Sequence, residues 1–185
     1  MTANEIRLRQ PAWLTEQLRN PAPPDEQGLL REVLALAALA VRHGSAGPFA
    51  AAVYALDSGE RLSAAVNTVV SSHCAAAHAE LQALSLAQQK INSYSLSGRP
   101  CVLISSSAPC TMCLGAIAWS GVKRLVFSAS RDDVEQIGFD EGPRTPAWRK
   151  QLAQRGISVA GPLLRNQGRK VLADYQAGKG VIYNA

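Results

Sequence analysis

Two short segments, His78-Ala79-Glu80 and Pro109-Cys110-Thr111-Met112-Cys113, constrain this chain more than any other feature. Their imidazole, two thiols and carboxylate work together only if the fold brings both segments to one point. One His and two Cys make three protein ligands, the set a catalytic zinc keeps when its fourth position stays open, whereas a structural zinc is closed by four. Zinc lowers the pKa of its bound water from about 15.7 to about 7, and a carboxylate alongside can move protons from attacking water to a ring nitrogen and a departing amine. Glu80 is that carboxylate, and one Zn²⁺ per chain through His78, Cys110 and Cys113 is the metal expectation.

The spacing also predicts where the two segments sit. On a regular helix, residues two apart diverge by about 200°, so His78 and Glu80 face one cavity only in the first turn of a helix. Pro109 suits a position at or just before a helix start, where its missing N–H costs nothing. Cys110 and Cys113, three apart, then share one face of the turn that follows. The unpaired N–H groups and the dipole at that end favour thiolates.

The rest of the chain alternates strand-like and helix-like segments. Residues 1–24 carry Pro11, Pro21, Pro23 and Pro24 and are predicted to form an irregular arm. Residues 25–185 are predicted to form a single domain. Asp25 suits the cap of a helix reaching about His43, with Leu29, Leu30, Val33, Leu34, Ala37 and Val41 as its buried stripe. Residues 49–56 and 61–70 form a predicted hairpin around Asp57-Ser58-Gly59-Glu60. Then come a helix from His78 to about Lys90, a loop through residues 97–100, a strand at 101–105, and the second ligand helix as far as Ser120. A strand at 124–129, an acidic turn beginning at Asp132, a helix at 147–154, a strand at 157–160 and a helix at 163–177 complete the pattern. Such alternation implies an α/β fold with a mixed sheet and helices on both faces, the site lying where helix N-termini converge over strand ends.

At 185 residues with 47% hydrophobic content, one sizeable core is affordable. The apolar run at 33–41 is too short to span a bilayer, and the first residues, with Glu5, Arg7 and Arg9, lack the apolar stretch of a secretory signal. Keeping cysteines as thiolates suits a reducing compartment, so the cytosol is expected. Of the two other cysteines, Cys101 opens an apolar strand and reads as buried, while Cys74, beside His73, is an alternative ligand. Net charge is +5. Residues 1–122 are balanced, so the excess lies in residues 123–185, where basic residues are scattered singly or in pairs. A solvated helical surface explains this as well as a nucleic-acid groove does.

The H-x-E…P-C-x-x-C pattern is that of zinc deaminases of nucleobases. The chain resembles the cytidine and deoxycytidylate deaminase superfamily, and within it the purine-base branch that includes bacterial guanine deaminases. Gly47-Pro48-Phe49-Ala50-Ala51-Ala52-Val53, Asn67, residues 77–80, residues 109–117, Trp119 and Ile137-Gly138-Phe139-Asp140 carry the resemblance. It implies a three-layer α/β/α fold with about five strands, and hydrolysis of guanine to xanthine and ammonia, with triazines such as ammeline as further substrates. It implies further that Asn67 bonds the substrate ring, donating and accepting together, and that an acid between Gly138 and Gly142 relays a proton to the leaving ammonia. Glu141 is the first choice for that acid and Asp140 the second. Phe49 and Trp119 are placed as walls of a slot for a flat base. A C-terminal segment that closes a pocket, through Tyr183 here, and a homodimer swapped through that tail belong to the same resemblance. One departure is visible: Ala108 stands where that branch usually has Glu.

Two other readings compete. A tRNA adenosine deaminase would use the same chemistry, but the chain lacks a continuous basic and aromatic surface, and its 138–142 segment is acidic. A catalytically silent zinc module for protein association would have no need of Glu80.

Overall fold

The structure, a computed structural model, describes residues 6–44 and 46–183. Five strands form one mixed sheet in the order β2-β1-β3-β4-β5, where β1 is Ala50–Ala55, β2 Arg61–Val66, β3 Cys101–Ser107, β4 Arg124–Ala129 and β5 Ser158–Ala160. β1 is antiparallel to both β2 and β3, and β3, β4 and β5 run parallel. The start of β1 and the ends of β2, β3 and β4 therefore meet at one edge of the sheet.

Helices cover both faces. Helix α2 (Glu26–His43) and the later α8 (Arg165–Ala177) pack on one face, where Leu30, Val33, Ala37 and Val171 meet Ala50, Ala52, Tyr54, Ile104 and Val126. Helices α4 (Ala79–Lys90), α5 (Thr111–Ser120) and α7 (Trp148–Gln154) pack on the other, where Ala83, Leu84, Ile117 and Leu152 meet Val53, Leu103 and Leu125. Side chains alternate along a strand, so β1 and β3 feed both cores in turn, and their residues are buried throughout. This is the three-layer α/β/α arrangement with a five-stranded mixed sheet that the sequence predicts.

Local chemistry explains most boundaries. Asp25 caps α2, its Oδ1 accepting from the Gly28 N–H at 2.9 Å, and Gly44 ends the helix in the left-handed region (φ 61°). The buried stripe of α2 contains Leu36 and Ala40 rather than Val41, which is only partly covered. The 1–24 arm is not wholly irregular: α1 (Ala12–Gln17) forms directly after Pro11 and buries Leu14, with Trp13 stacked on His43 at 5.1 Å. A proline fits just before a helix because the first N–H groups have no helical partner. The predicted second hairpin strand ends at Val66, and Val69–Ser72 forms a short helix α3 instead. The acidic turn is α6 (Arg131–Glu135), closed by a capping box in which Ser130 and Asp133 exchange hydrogen bonds. Among the described residues no helix is long and apolar enough to cross a membrane.

Candidate active site

His78 and Cys110 are the N-cap residues of α4 and α5, the two helices that start over the converging strand ends. Glu80 lies in the first turn of α4, and Cys113 one turn into α5. The placement deduced from spacing is the one the backbone adopts.

His78, Cys110 and Cys113 bring their donor atoms within 4.8 Å of one another, and no other trio of His, Cys, Asp or Glu does so among the described residues. Cys74 is not part of the group. His78 Nδ1 lies 3.5 Å from Cys110 Sγ and 3.6 Å from Cys113 Sγ. Tetrahedral zinc with bonds of about 2.3 Å to sulfur and about 2.0–2.1 Å to nitrogen requires N···S separations of about 3.5 Å. The donor set therefore fits zinc both in chemistry and in spacing. Three donors would leave a tetrahedral ion one position for a small molecule.

The electrostatics of the trio are strongly coupled. Cys110 is held down at about 4, mainly by the hydrogen bond from the Cys113 thiol, then by His78 and the Cys113 N–H, against the opposing effect of burial. Cys113, the donor in that pair and deeply buried, is pushed up. One thiolate is thus already favoured at the helix start, and a dication among the donors favours the second. Burial lowers the pKa of His78, but its hydrogen bond to Cys110 and the charge of Glu80 more than offset this.

Glu80 is 5% exposed. Its Oε1 accepts from Ser105 Oγ at 3.1 Å, and its Oε2 lies 3.5 Å from Cys113 Sγ. Burial, then the Cys110 charge, push its pKa up. Glu141, 7% exposed, is raised to about 8, first by burial and then by Cys110 and Glu80. Burial thus raises both carboxyls in the chain alone, and a dication held by the trio would act in the opposite direction.

Phe49, Asn67, His78, Glu80, Ser107, Ala108, Cys110, Phe139, Glu141 and Tyr183 line one narrow slot. Asn67 Oδ1 accepts from the Val69 N–H at 3.1 Å, while Nδ2 is buried with no hydrogen-bond partner among the described residues. Oδ1 keeps a second lone pair beside its bond from Val69, and Nδ2 remains to donate. The Tyr183 hydroxyl is also buried and unpartnered, and burial keeps it protonated. Tyr183 packs on Phe139 (4.9 Å) and lies edge-on to His78 (6.5 Å).

Two sequence-predicted residues fall elsewhere. Trp119 is 77% exposed on the outer side of α5, in a separate cleft with Leu114, Gly115 and Trp148, because it follows Cys113 by six residues and turns away from the ligand face. Asp140 is exposed, its Oδ1 accepting from the Gly142 N–H at 2.7 Å, so it shapes the turn rather than lining the slot. Phe49 does line the slot and meets Phe139 edge-on at 5.1 Å. Ala108 makes that part of the wall apolar. Ser105 and the clasp of Thr111 on the Glu141 loop were not foreseen. Thr111 N–H donates to Glu141 O (3.1 Å), and Thr111 Oγ1 donates to Pro143 O (2.6 Å). The available signal was the run Ser105-Ser106-Ser107 in an otherwise apolar buried strand.

Comparison with known proteins agrees with this geometry. The guanine deaminase of Bacillus subtilis is 33% identical over 117 residues, 63% of this chain and 72% of that one. A tRNA-specific adenosine deaminase of Buchnera aphidicola is 33% identical over 116 residues, 61% of this chain and 70% of its own. The solved guanine deaminase of Nitrosomonas europaea superposes with a TM-score of 0.87 at 43% identity, covering 95% of this chain and 97% of that one. A solved complex with 2,6-diaminopurine gives a TM-score of 0.90 at 44% identity, with 97% of both chains covered. Residues 24–129 match the cytidine and deoxycytidylate deaminase zinc-binding region, the span that contains every residue of the His78, Cys110 and Cys113 trio together with Glu80. With ligands, carboxylate, sheet order and this match in agreement, the chain belongs to the cytidine and deoxycytidylate deaminase family.

Proposed function

We propose that this protein hydrolyses guanine to xanthine and ammonia, with one zinc per chain held by His78, Cys110 and Cys113. The observation that carries the reading is the pair of buried, unpartnered polar groups, Asn67 Nδ2 and the Tyr183 hydroxyl, on residues that enclose the same slot as Glu80 and Glu141. Buried polar atoms without partners are costly, so a ligand that pairs them is implied. Near-complete coverage of a guanine deaminase and of a 2,6-diaminopurine complex supports a purine base as that ligand.

Zinc in the trio supplies Lewis acidity at neutral pH. Glu80 takes a proton from the attacking water and delivers it to the ring nitrogen beside C2, as oxygen bonds to that carbon. Glu141 accepts from the N–H groups that guanine presents on this edge; the second proton of the former water passes by way of Glu141 to the amine, the C2–N bond breaks with its electron pair on nitrogen to release ammonia, and the new oxygen becomes the C2 carbonyl of xanthine. Asn67, its amide fixed by Val69, donates to a ring acceptor. Phe49 and Phe139 flank the base, and Tyr183 covers it and excludes water. A homodimer and activity on triazines such as ammeline accompany this proposal.

Ammonia release from guanine, adenine, cytosine, their nucleosides, ammeline and a tRNA anticodon stem-loop tests it. Guanine should be among the best substrates and nucleosides poor, because Tyr183 and the narrow slot leave no place for a sugar. The stem-loop should be poorer still, since the narrow slot closed by Tyr183 leaves no room for a polynucleotide backbone. Faster reaction of the stem-loop than of every free base would establish tRNA editing instead. Silence across the panel with zinc fully loaded would favour a non-enzymatic module.

A further inference from the structure

We propose that Ser105 is a positioning residue for the proton transfer: its hydroxyl holds Glu80 Oε1, so that Oε2 is the oxygen presented to the reacting atoms. The proposal rests on the reading of Glu80 as the proton carrier. Ser105 is 1% exposed on β3, set between Ala51 of β1 and Phe127 of β4 by the sheet register. The Ser107 N–H donates to Ser105 Oγ at 3.4 Å, and Ser105 Oγ lies 3.1 Å from Glu80 Oε1. An ionised carboxylate only accepts and a hydroxyl has one hydrogen to give. The hydroxyl hydrogen therefore goes to Glu80 Oε1, while the Ser107 N–H occupies a lone pair on Ser105 Oγ and fixes the direction of the hydroxyl.

The consequence is a carboxylate with two unlike oxygens. Oε1 is engaged from the sheet, and Oε2 lies on the side of Cys113, 3.5 Å from its sulfur. A glutamate side chain has several rotatable bonds, and without an anchor its two oxygens exchange places within a cavity. A fixed partner removes that freedom before the reaction begins. Burial of β3 along its whole length favours an apolar residue here, and the two groups that the hydroxyl meets instead are the Ser107 N–H, at a long 3.4 Å, and Glu80 Oε1.

The test compares Ser105→Ala and Ser105→Thr with the parent and with Glu80→Gln, each purified with its zinc content measured. Partners that orient a working group typically contribute about tenfold to a hundredfold, so Ser105→Ala should lose at least about tenfold in kcat on guanine. It should keep its zinc and a KM within about threefold, and Ser105→Thr, which restores the hydroxyl, should recover most of the loss. Ser105→Ala turning over within about twofold of the parent while Glu80→Gln is inactive would overturn the role of Ser105 alone. A loss confined to KM or zinc content would also overturn it. Near-parental turnover by Glu80→Gln would overturn both this proposal and the reading on which it rests.

Discussion

At the scale of single residues, shape-preserving substitutions separate chemistry from architecture. Glu80→Gln keeps an oxygen that can accept from Ser105 but cannot take up and return a proton, so turnover should fall by about a hundredfold to ten-thousandfold. Zinc content and melting temperature should stay near parental; an active Glu80→Gln enzyme would show that another group moves the protons. Glu141→Gln and Asp140→Asn form a sharper pair, because the two acids are neighbours with opposite surroundings. Glu141 is buried in the slot, and Asp140 is exposed and bonded to the Gly142 N–H. Glu141→Gln should lower kcat at least about tenfold, whereas Asp140→Asn, which retains an acceptor for that N–H, should stay within about twofold, as surface changes away from special contacts do. Equal, near-parental kinetics for both would remove the segment from the mechanism. The contrast also marks what sequence could and could not convey. The trio was legible because metal ligands impose spacing, and the first turn of a helix is the place where His-x-Glu converges. Which of two adjacent acids turns inward depends on the φ of 106° at Gly138 and on Thr111 holding the loop, neither of which leaves a periodic signal.

Among the elements, the C-terminal tail has the most specific seat. A Cβ on Gly180 would fall 2.2–2.4 Å from ring atoms of Tyr175, and one on Gly47 would fall 2.7 Å from the Tyr183 hydroxyl. Tyr175 also donates to Val181 O at 2.7 Å. Two glycines thus accept rings on either side of the tail's last described turn, and the tail closes the slot only while both fits hold. Tyr183→Ala should open the slot, raise KM for guanine, and raise the ratio of guanosine to guanine activity. Gly180→Ala, which removes no group from the slot, should shift the ratio in the same direction by unseating the tail. An unchanged ratio in both variants would mean that Tyr183 does not exclude the sugar. Asn184 and Ala185 lie outside the described residues. The regular elements were largely readable: the Asp25 cap, the hairpin at 57–60 and the two ligand helices each carry their own start or stop chemistry. Helices α1, α3 and α6 span six, four and five residues, too short for an apolar stripe to repeat, and tertiary contacts define them. The tail's seat is likewise a product of packing between residues more than a hundred positions apart, such as Gly47 and Tyr183.

For the molecule as a whole, ion pairs from Arg165 and Arg169 to Asp133 join the region that carries the second acid to the helix that carries the tail. Arg165 of α8 grips Asp133 of α6 with two hydrogen bonds, 2.8 and 2.9 Å, and Ser130 adds its backbone N–H and hydroxyl. The Asp133 side chain is almost fully buried, and these donors, Arg165 first, hold its pKa down at about 2. A carboxyl whose folded pKa lies below its unfolded value of about 3.9 stabilises the fold above that value, and the contribution is lost as pH falls toward 2. Asp133→Asn should therefore lower stability at pH 7 by about 2–3 kcal/mol, a drop in melting temperature of about 5–10 °C for a chain of this size. Acid also protonates thiolates and weakens zinc binding in parent and variant alike. The informative quantity is accordingly the difference between their melting temperatures, followed from pH 7 to pH 2.5. That difference should narrow below about pH 4 as Asp133 of the parent takes up its proton. A gap that stays constant over the whole range would show that the loss comes from altered packing or hydrogen-bond geometry, and that the charge of Asp133 does not tie α6 to α8.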